Sequence, residues 1–380
     1  MVKFIITALV FGSVVVHGQQ PLTFLTADSI TYQYYQTGEW DKLIITGKQA
    51  IGQKIDYKRL RQRIGYAYFV KEDYYSAQKH YEKALTFDEY DSDTRVYLYY
   101  CGLNTGNEAF ARLQVEKLPK ELQQKLKEGS FKPVYAVDFE LNYKTNNSNS
   151  RSNPTYLRVG INTQIGYHLS LYQSVSNYQQ MIDTSVTKQP GYFASLNWSL
   201  SSHISLNVAY HYMNTDIDGY KYPGNLLFAA ITTELNRFSL GINGSILSDG
   251  SNNFQQAGLL AGVAFPGKSN IYLKSAVSGM LATGNNRIIF SQTVGARIAK
   301  PLWAEGNVTF GNLQNYHDHN ALYIYNSIDP ATFRTGLTLF WHTGKNVTLF
   351  GNYIHEIKQI VLTSINYKQQ SFSGGIIWKL

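Results

Sequence analysis

Two pairs of residues stand at a spacing suited to nucleophilic chemistry. His168 with Ser170, and His203 with Ser205, lie two apart, so on an extended strand they share a face and the imidazole can deprotonate the hydroxyl for acyl transfer. Each pair follows a short turn and sits on the polar face of its segment, away from any acyl chain. No third group that would orient the imidazole can be identified, so the pairs read as polar lining. His317, Asp318 and His319 offer two imidazoles and a carboxylate to a metal, yet neighbouring loop residues seldom converge on one ion without a scaffold, and a solvated external loop is expected. No Gly-rich phosphate loop, zinc spacing or dinucleotide fingerprint precedes a helix. No catalytic, cofactor-binding or metal residue is assigned, and no enzyme activity is expected.

The elements that must position these residues are bounded by composition. The chain of 380 residues carries 30 Tyr and 30 Gly beside 9 Pro, and only 16% of it is charged. A water-facing globular surface usually carries about a quarter charged residues, so strands and interfaces are indicated. The net charge of +8 is dispersed rather than gathered into a phosphate-tracking block, so no nucleic-acid partner is expected and weak attraction for anionic lipopolysaccharide is the lesser possibility. A single Cys101 allows no intrachain disulfide. At the amino terminus Lys3 precedes an apolar run from Phe4 to Val16, followed by Val16-His17-Gly18 with small residues at the cleavage-reading positions. Residues 1–18 are therefore expected to be a signal peptide, the apolar run being well short of the roughly 20 residues that span a bilayer.

From residue 24 to 128 the apolar period is helical. Gly65, Tyr68, Ala77, Tyr81 and Ala84 fall at offsets that allow two antiparallel helices to approach at the small residues while aromatics fill the gaps. This pattern resembles the tetratricopeptide repeat, with weaker copies 34 residues before and after; Leu43 and Gly47 depart from it in the first and Gly102 and Leu118 in the third. The resemblance implies a three-repeat stack that docks a protein partner, or a block that plugs or braces the carboxy-terminal barrel.

From 131 to 380 the period becomes two. Ile204, Leu206, Val208, Tyr210 and Tyr212 point one way and Ser205, Asn207, Ala209 and His211 the other; Ile288, Phe290, Val294, Ala296 and Ile298 alternate with residues that include Arg297. Fourteen strands are expected, with 12 or 16 possible, beginning near residues 133, 155, 168, 191, 203, 224, 238, 254, 270, 286, 302, 332, 346 and 370. Short turns such as Ser201-Ser202 alternate with longer polar connections at Asn146–Pro154, Asp216–Pro223 and Asn312–Ala331, the asymmetry of a transmembrane β-barrel. The fold class expected is thus a helical repeat domain followed by an antiparallel transmembrane barrel, and aromatic residues at strand ends read as interfacial girdles.

Ser373, Gly375, Trp378 and Leu380 match the spacing of the terminal strand signal of outer-membrane proteins, which implies handling by the barrel-assembly machinery; most such signals end in an aromatic, and Leu380 departs from that. The whole arrangement, with the segment Tyr325-Asn326-Ser327-Ile328-Asp329, resembles the YaiO-type outer-membrane barrels with amino-terminal tetratricopeptide repeats of Bacteroidetes. The family has no assigned activity to carry over. It implies a Gram-negative outer membrane, with the repeats in the periplasm and lipid and lipopolysaccharide around the barrel. A non-enzymatic pore or envelope scaffold whose repeats dock a periplasmic partner is expected. An exopolymer export channel is the alternative, and a lipid acyl hydrolase a remote one.

Overall fold

The computed structural model describes residues 22–126, 129, 131–250, 252–281, 286–318, 320–344, 346–361 and 363–380; the expected signal peptide and His319 lie outside them. Three helical hairpins come first: α1 (Phe24–Thr37) with α2 (Trp40–Gly52), α3 (Lys58–Val70) with α4 (Tyr74–Leu85), and α5 (Ser92–Asn104) with α6 (Glu108–Glu116). A short α7 (Lys120–Lys125) comes next. First and second helices of the hairpins each start at 34-residue steps (24, 58, 92 and 40, 74, 108). Side chains cap four starts: Thr23 forms a reciprocal box with Thr26, and Asp73, Asp91 and Asn107 accept from the backbone amides of Ser76, Thr94 and Phe110 at 2.8–3.0 Å.

The packing residues of the central repeat explain the approach of α3 and α4. Ala77, Tyr81 and Ala84 are buried, and a Cβ on Gly65 would lie 3.1 Å from the Tyr81 ring, so only glycine lets the ring sit there. Tyr68 is half-buried and stacks on His80 at 5.6 Å. Gly47, where the first hairpin lacks an aromatic, is filled from the other side: a Cβ there would meet Ile64 Cδ1 at 2.6 Å.

The sheet has β1 (Lys132–Asn146), β2 (Thr155–Gln164), β3 (Leu169–Ile182), β4 (Ser185–Ser199), β5 (Ile204–Ile217), β6 (Tyr220–Leu235) and β7 (Phe238–Asp249). It continues through β8 (Asn252–Phe265), β9 (Ile271–Leu281), β10 (Arg287–Ala299), β11 (Leu302–Phe310), β12 (Ala331–His342), β13 (Val347–Gln359) and β14 (Asn366–Lys379). Each strand pairs antiparallel with the next, and β14 pairs with β1 from Ala136↔Lys379 to Asn146↔Gln369, closing a 14-stranded barrel. Closure removes the unpaired edges that an open sheet would present. Outward positions are apolar and exposed, as with Leu141, Val159, Val175, Val208, Ile242 and Leu259, so the outer wall is a belt suited to lipid. Trp378 and Leu380 share that wall, and Ser373 and Gly375 face inward.

Three strands start earlier than their sequence pattern suggests: β4 at Ser185, β6 at Tyr220 and β14 at Asn366. The stretch Asp216–Pro223, expected to be a long loop, is instead two paired strands joined at Asp218-Gly219, whose φ values of 52° and 92° fit a two-residue hairpin turn. Pairing there runs past the apolar belt, where residue polarity no longer marks strand from loop.

Candidate functional site

Inward side chains of the barrel are small or polar over much of its length, and glycine shapes the wall. A Cβ on Gly160, Gly295 or Gly375 would collide with the rings of Tyr172, Tyr272 and Phe350 respectively, so each ring lies flat across a neighbouring strand and leaves the bore clear. Charged residues cluster on this lining. Arg158 is buried between Asp138 and Glu140, donating to Glu140 Oε2 from Nη2 at 3.0 Å and also to Asp138 and the Tyr172 hydroxyl. Arg334 Nε lies 3.3 Å from Glu356, which accepts from Gln369 at 2.7 Å. Nearer the long-loop end, Arg151 donates to Asp329 at 2.7 Å and Lys358 donates to Ser327 at 2.9 Å. Such buried charges are tolerable only when paired.

The connection between β11 and β12 corrects the sequence reading: residues 311–318 and 320–330 do not extend into solvent but fold into the lumen. Along the backbone Asn315 N–H donates to Tyr325 O at 2.8 Å, Tyr325 N–H to Tyr316 O at 2.7 Å and Asp318 N–H to Tyr323 O at 3.2 Å, a hairpin whose turn is closed by Ala321 N–H donating to Asp318 O at 3.0 Å. Ala321, Leu322 and Ile324 pack against Phe193, Met213, Leu226, Phe228 and Leu247, while Leu313 and Tyr316 pack on Met280 and Ile289. His317 is 1% exposed, its Nε2 2.6 Å from Ser245 Oγ, and the His211 ring nitrogen lies 3.1 Å from Ala321 O. His317 and Asp318 thus serve packing and the hairpin turn, and no cluster of three metal-ligating side chains exists among the described residues. Nothing in the local residue pattern signals insertion, since these polar, Asn-rich residues look like an exposed loop until the apolar patch on β4–β7 is known.

The hairpin packs against residues of β4–β10 and leaves a cavity of about 740 Å³ lined by residues of β10–β14, β1–β5 and the hairpin itself. That cavity runs from Lys144 and Thr187 near the long-loop end to Phe340, Phe350 and Ile377 near the short-turn end. The hairpin presents Asp318, Tyr323 and Tyr325 to it, and Tyr323 donates to Glu140 at 2.5 Å.

The helical layer lies across the short-turn end, through four glutamates that meet four basic groups of the rim. Glu72 pairs with Arg297 at 2.6 Å, Glu116 with His168 at 3.1 Å and Glu82 with His203 at 3.7 Å, and Glu108 pairs with Lys379. Asn236 donates to Tyr75 O at 3.1 Å, Tyr167 to Gln123 at 2.9 Å and Tyr135 to Glu108 at 3.0 Å. Burial raises Glu82 above the usual carboxylate range, whereas at Glu108 the nearby Lys379 outweighs burial and lowers the carboxyl. His168 and His203 also bond backbone carbonyls of Ser199 and Glu234, and neither is bonded to the serine two residues on. Inward-pointing Arg297 likewise reaches the layer rather than the bore.

No protein-family model matches the chain, and no curated protein matches it. Solved barrels are similar to it at low identity. A Pseudomonas aeruginosa FadL homologue is 9% identical with a TM-score of 0.43, over 65% of this chain and 90% of that one. Omp33 of Acinetobacter baumannii is 8% identical with a TM-score of 0.38, over 65% and 99%. A KdgM porin in complex with disordered oligogalacturonate is 10% identical with a TM-score of 0.34, over 64% and 99%.

Proposed function

We propose that this chain is an outer-membrane pore whose bore is narrowed by its own β11–β12 hairpin and covered at its periplasmic end by the helical layer. The observation that carries this reading is the luminal cavity, lined by residues of β10–β14 and β1–β5, which reaches from Lys144 and Thr187 near the long loops to Phe340 and Ile377 near the short turns. A scaffold would need no such space, and packed side chains would fill it. The apolar outer belt supports placement in a bilayer, and the short turns on the side of the helical layer support a periplasmic position for that layer. At the short-turn end of the cavity Phe340 and Phe350 form an aromatic pair at 6.3 Å.

The 34-residue helix spacing supports the tetratricopeptide reading of the layer, with the barrel held by α4, α6 and α7. Tyr32, Tyr66 and Tyr100 fall at equivalent positions of α1, α3 and α5, which supports a docking face for a periplasmic protein on those helices. Ser373, Gly375, Trp378 and Leu380 supply the assembly signal. Planar-bilayer recording of the purified full chain tests the pore: stepwise ohmic current is expected, and the absence of any current in KCl would overturn it. Recovery of the mature chain as a soluble periplasmic species would overturn its location.

A further inference from the structure

We infer that the luminal cavity is a binding site for an uncharged saccharide of a few rings, held between the β11–β12 hairpin and the opposite wall. This inference rests on the pore reading and names the solute that pore takes. The charge of the lining is balanced. Glu140, Glu305, Asp318 and Glu356 supply four carboxylates, and Lys144, Arg158, Arg334 and Lys358 supply four cations, 4 − 4 = 0 over the same lining residues. Six of these eight charges are also engaged locally: Arg158 with Glu140, Arg334 with Glu356, Lys358 with Ser327, and Glu305 with the Tyr272 hydroxyl. A charged solute entering this space would displace those partners and expose a buried ion, which is costly. An uncharged solute displaces only water.

The shape of the lining narrows the class further. Tyr156 on the wall and Tyr323 on the hairpin are in tilted contact, ring centroids 6.3 Å apart and planes at 56°, and both line the cavity. Tyr325 stacks on Tyr316 at 5.8 Å on the hairpin, and Tyr178 continues the wall. Asn320, Asn352, Gln189, Ser176 and Thr338 intersperse these rings with donors and acceptors. A sugar ring offers both surfaces needed: C–H faces for the tyrosine rings and a rim of hydroxyls for the amides and hydroxyls. A purely apolar solute would leave the polar groups unmatched, and a bare ion would leave the rings unused. The 740 Å³ of space falls in the range of small-ligand sites, about 300–1,000 Å³, and admits more than one ring.

The test uses the full chain in planar bilayers with a linear glucose trisaccharide as probe. Under a tenfold KCl gradient the zero-current potential should stay far below the roughly 59 mV of an ideally selective pore. The trisaccharide should interrupt the current in a saturable way, and its form oxidised to a carboxylate should do so about tenfold more weakly, since entry of a charge disturbs the balanced pairs. Tyr323→Ala and Tyr156→Ala should each weaken the interruption by about tenfold while KCl current persists, loss of a ring contact being worth that much. An ideal cation or anion selectivity, current unaffected by the trisaccharide, or equal block by both forms would overturn the saccharide site and leave the pore standing. Absence of KCl current would remove both.

Discussion

Arg158 shows how a single residue holds the bore in shape. Its guanidinium is buried against two carboxylates on β1, Asp138 and Glu140, with the Tyr172 ring beside it. Arg158→Met would leave both carboxylates buried without a cation, a loss on the order of 3–5 kcal/mol. Equilibrium urea unfolding should show that loss, and adding Asp138→Asn and Glu140→Gln should recover much of it, because the cost lies in the uncompensated charge. Were the triple variant no more stable than Arg158→Met, the pairing argument would fail. At this scale sequence was informative where packing is local. Gly65 and Tyr81 were legible because their spacing sets which helix faces meet. Gly375 was legible as part of a terminal pattern, though its physical reason, the Phe350 ring lying over it, requires the register of β13 against β14. The Arg158 cluster was not legible, since inward charges on β1 and β2 look alike whether paired or solvated.

Among the elements, strand number and most strand starts were readable from alternation, whereas the β11–β12 hairpin was not, because its seat is made by residues up to 128 positions earlier, such as Phe193 against Ala321. Its seating carries a direct expectation. Replacing residues 315–325 with a short Gly-Ser linker should leave the β1–β14 seam intact and raise single-channel conductance several-fold. Unchanged conductance would mean that the hairpin does not occlude the bore. A second expectation concerns α3 and α4, where burial, with Arg61 close by, pushes the His80 imidazole down to about 4 from its usual 6.5. In the folded layer His80 is neutral between these values while the unfolded chain is protonated, so unfolding takes up a proton and stability falls as pH drops from about 6.5 to about 4. A shift of that size corresponds to roughly 3 kcal/mol at the acid end. Glu82, raised by burial, works in the opposite sense, since protonation on acidification relieves a buried charge. The net slope should still favour neutral pH. Hydrogen exchange of the α3–α4 amides should therefore lose protection between about pH 7 and about pH 4.5, and His80→Phe, which keeps the stack on Tyr68, should flatten that dependence. A slope unaltered by the substitution would assign the acid loss elsewhere.

For the whole molecule, the question is whether layer and barrel form one cooperative unit. Sequence placed their boundary in the charged stretch from Lys117 to Lys132 but could not show that the two would be clamped face to face, because the four glutamate pairs join residues between 52 and 271 positions apart. Each pair is partly exposed and contributes at most about 1 kcal/mol, whereas the barrel is closed by continuous pairing between β1 and β14 that uses no helical residue. The balance of these magnitudes favours a barrel that stands alone and a layer that rides on it. A chain that keeps residues 1–23 but lacks residues 24–128 should therefore still insert and show heat-modifiable migration. Its pore should conduct more than the full chain, since the rim from β1 round to β10 is no longer covered. Reversing the clamp with Glu72→Arg, Glu108→Arg and Glu116→Arg should move the full chain toward the same conductance while leaving the helices folded, as circular dichroism would report, because the caps and cores of α1–α6 involve none of the three side chains. If the shortened chain fails to assemble, the layer is a folding partner of the barrel. If it assembles with unchanged conductance, the layer does not restrict the short-turn mouth, and only the docking proposed for it remains.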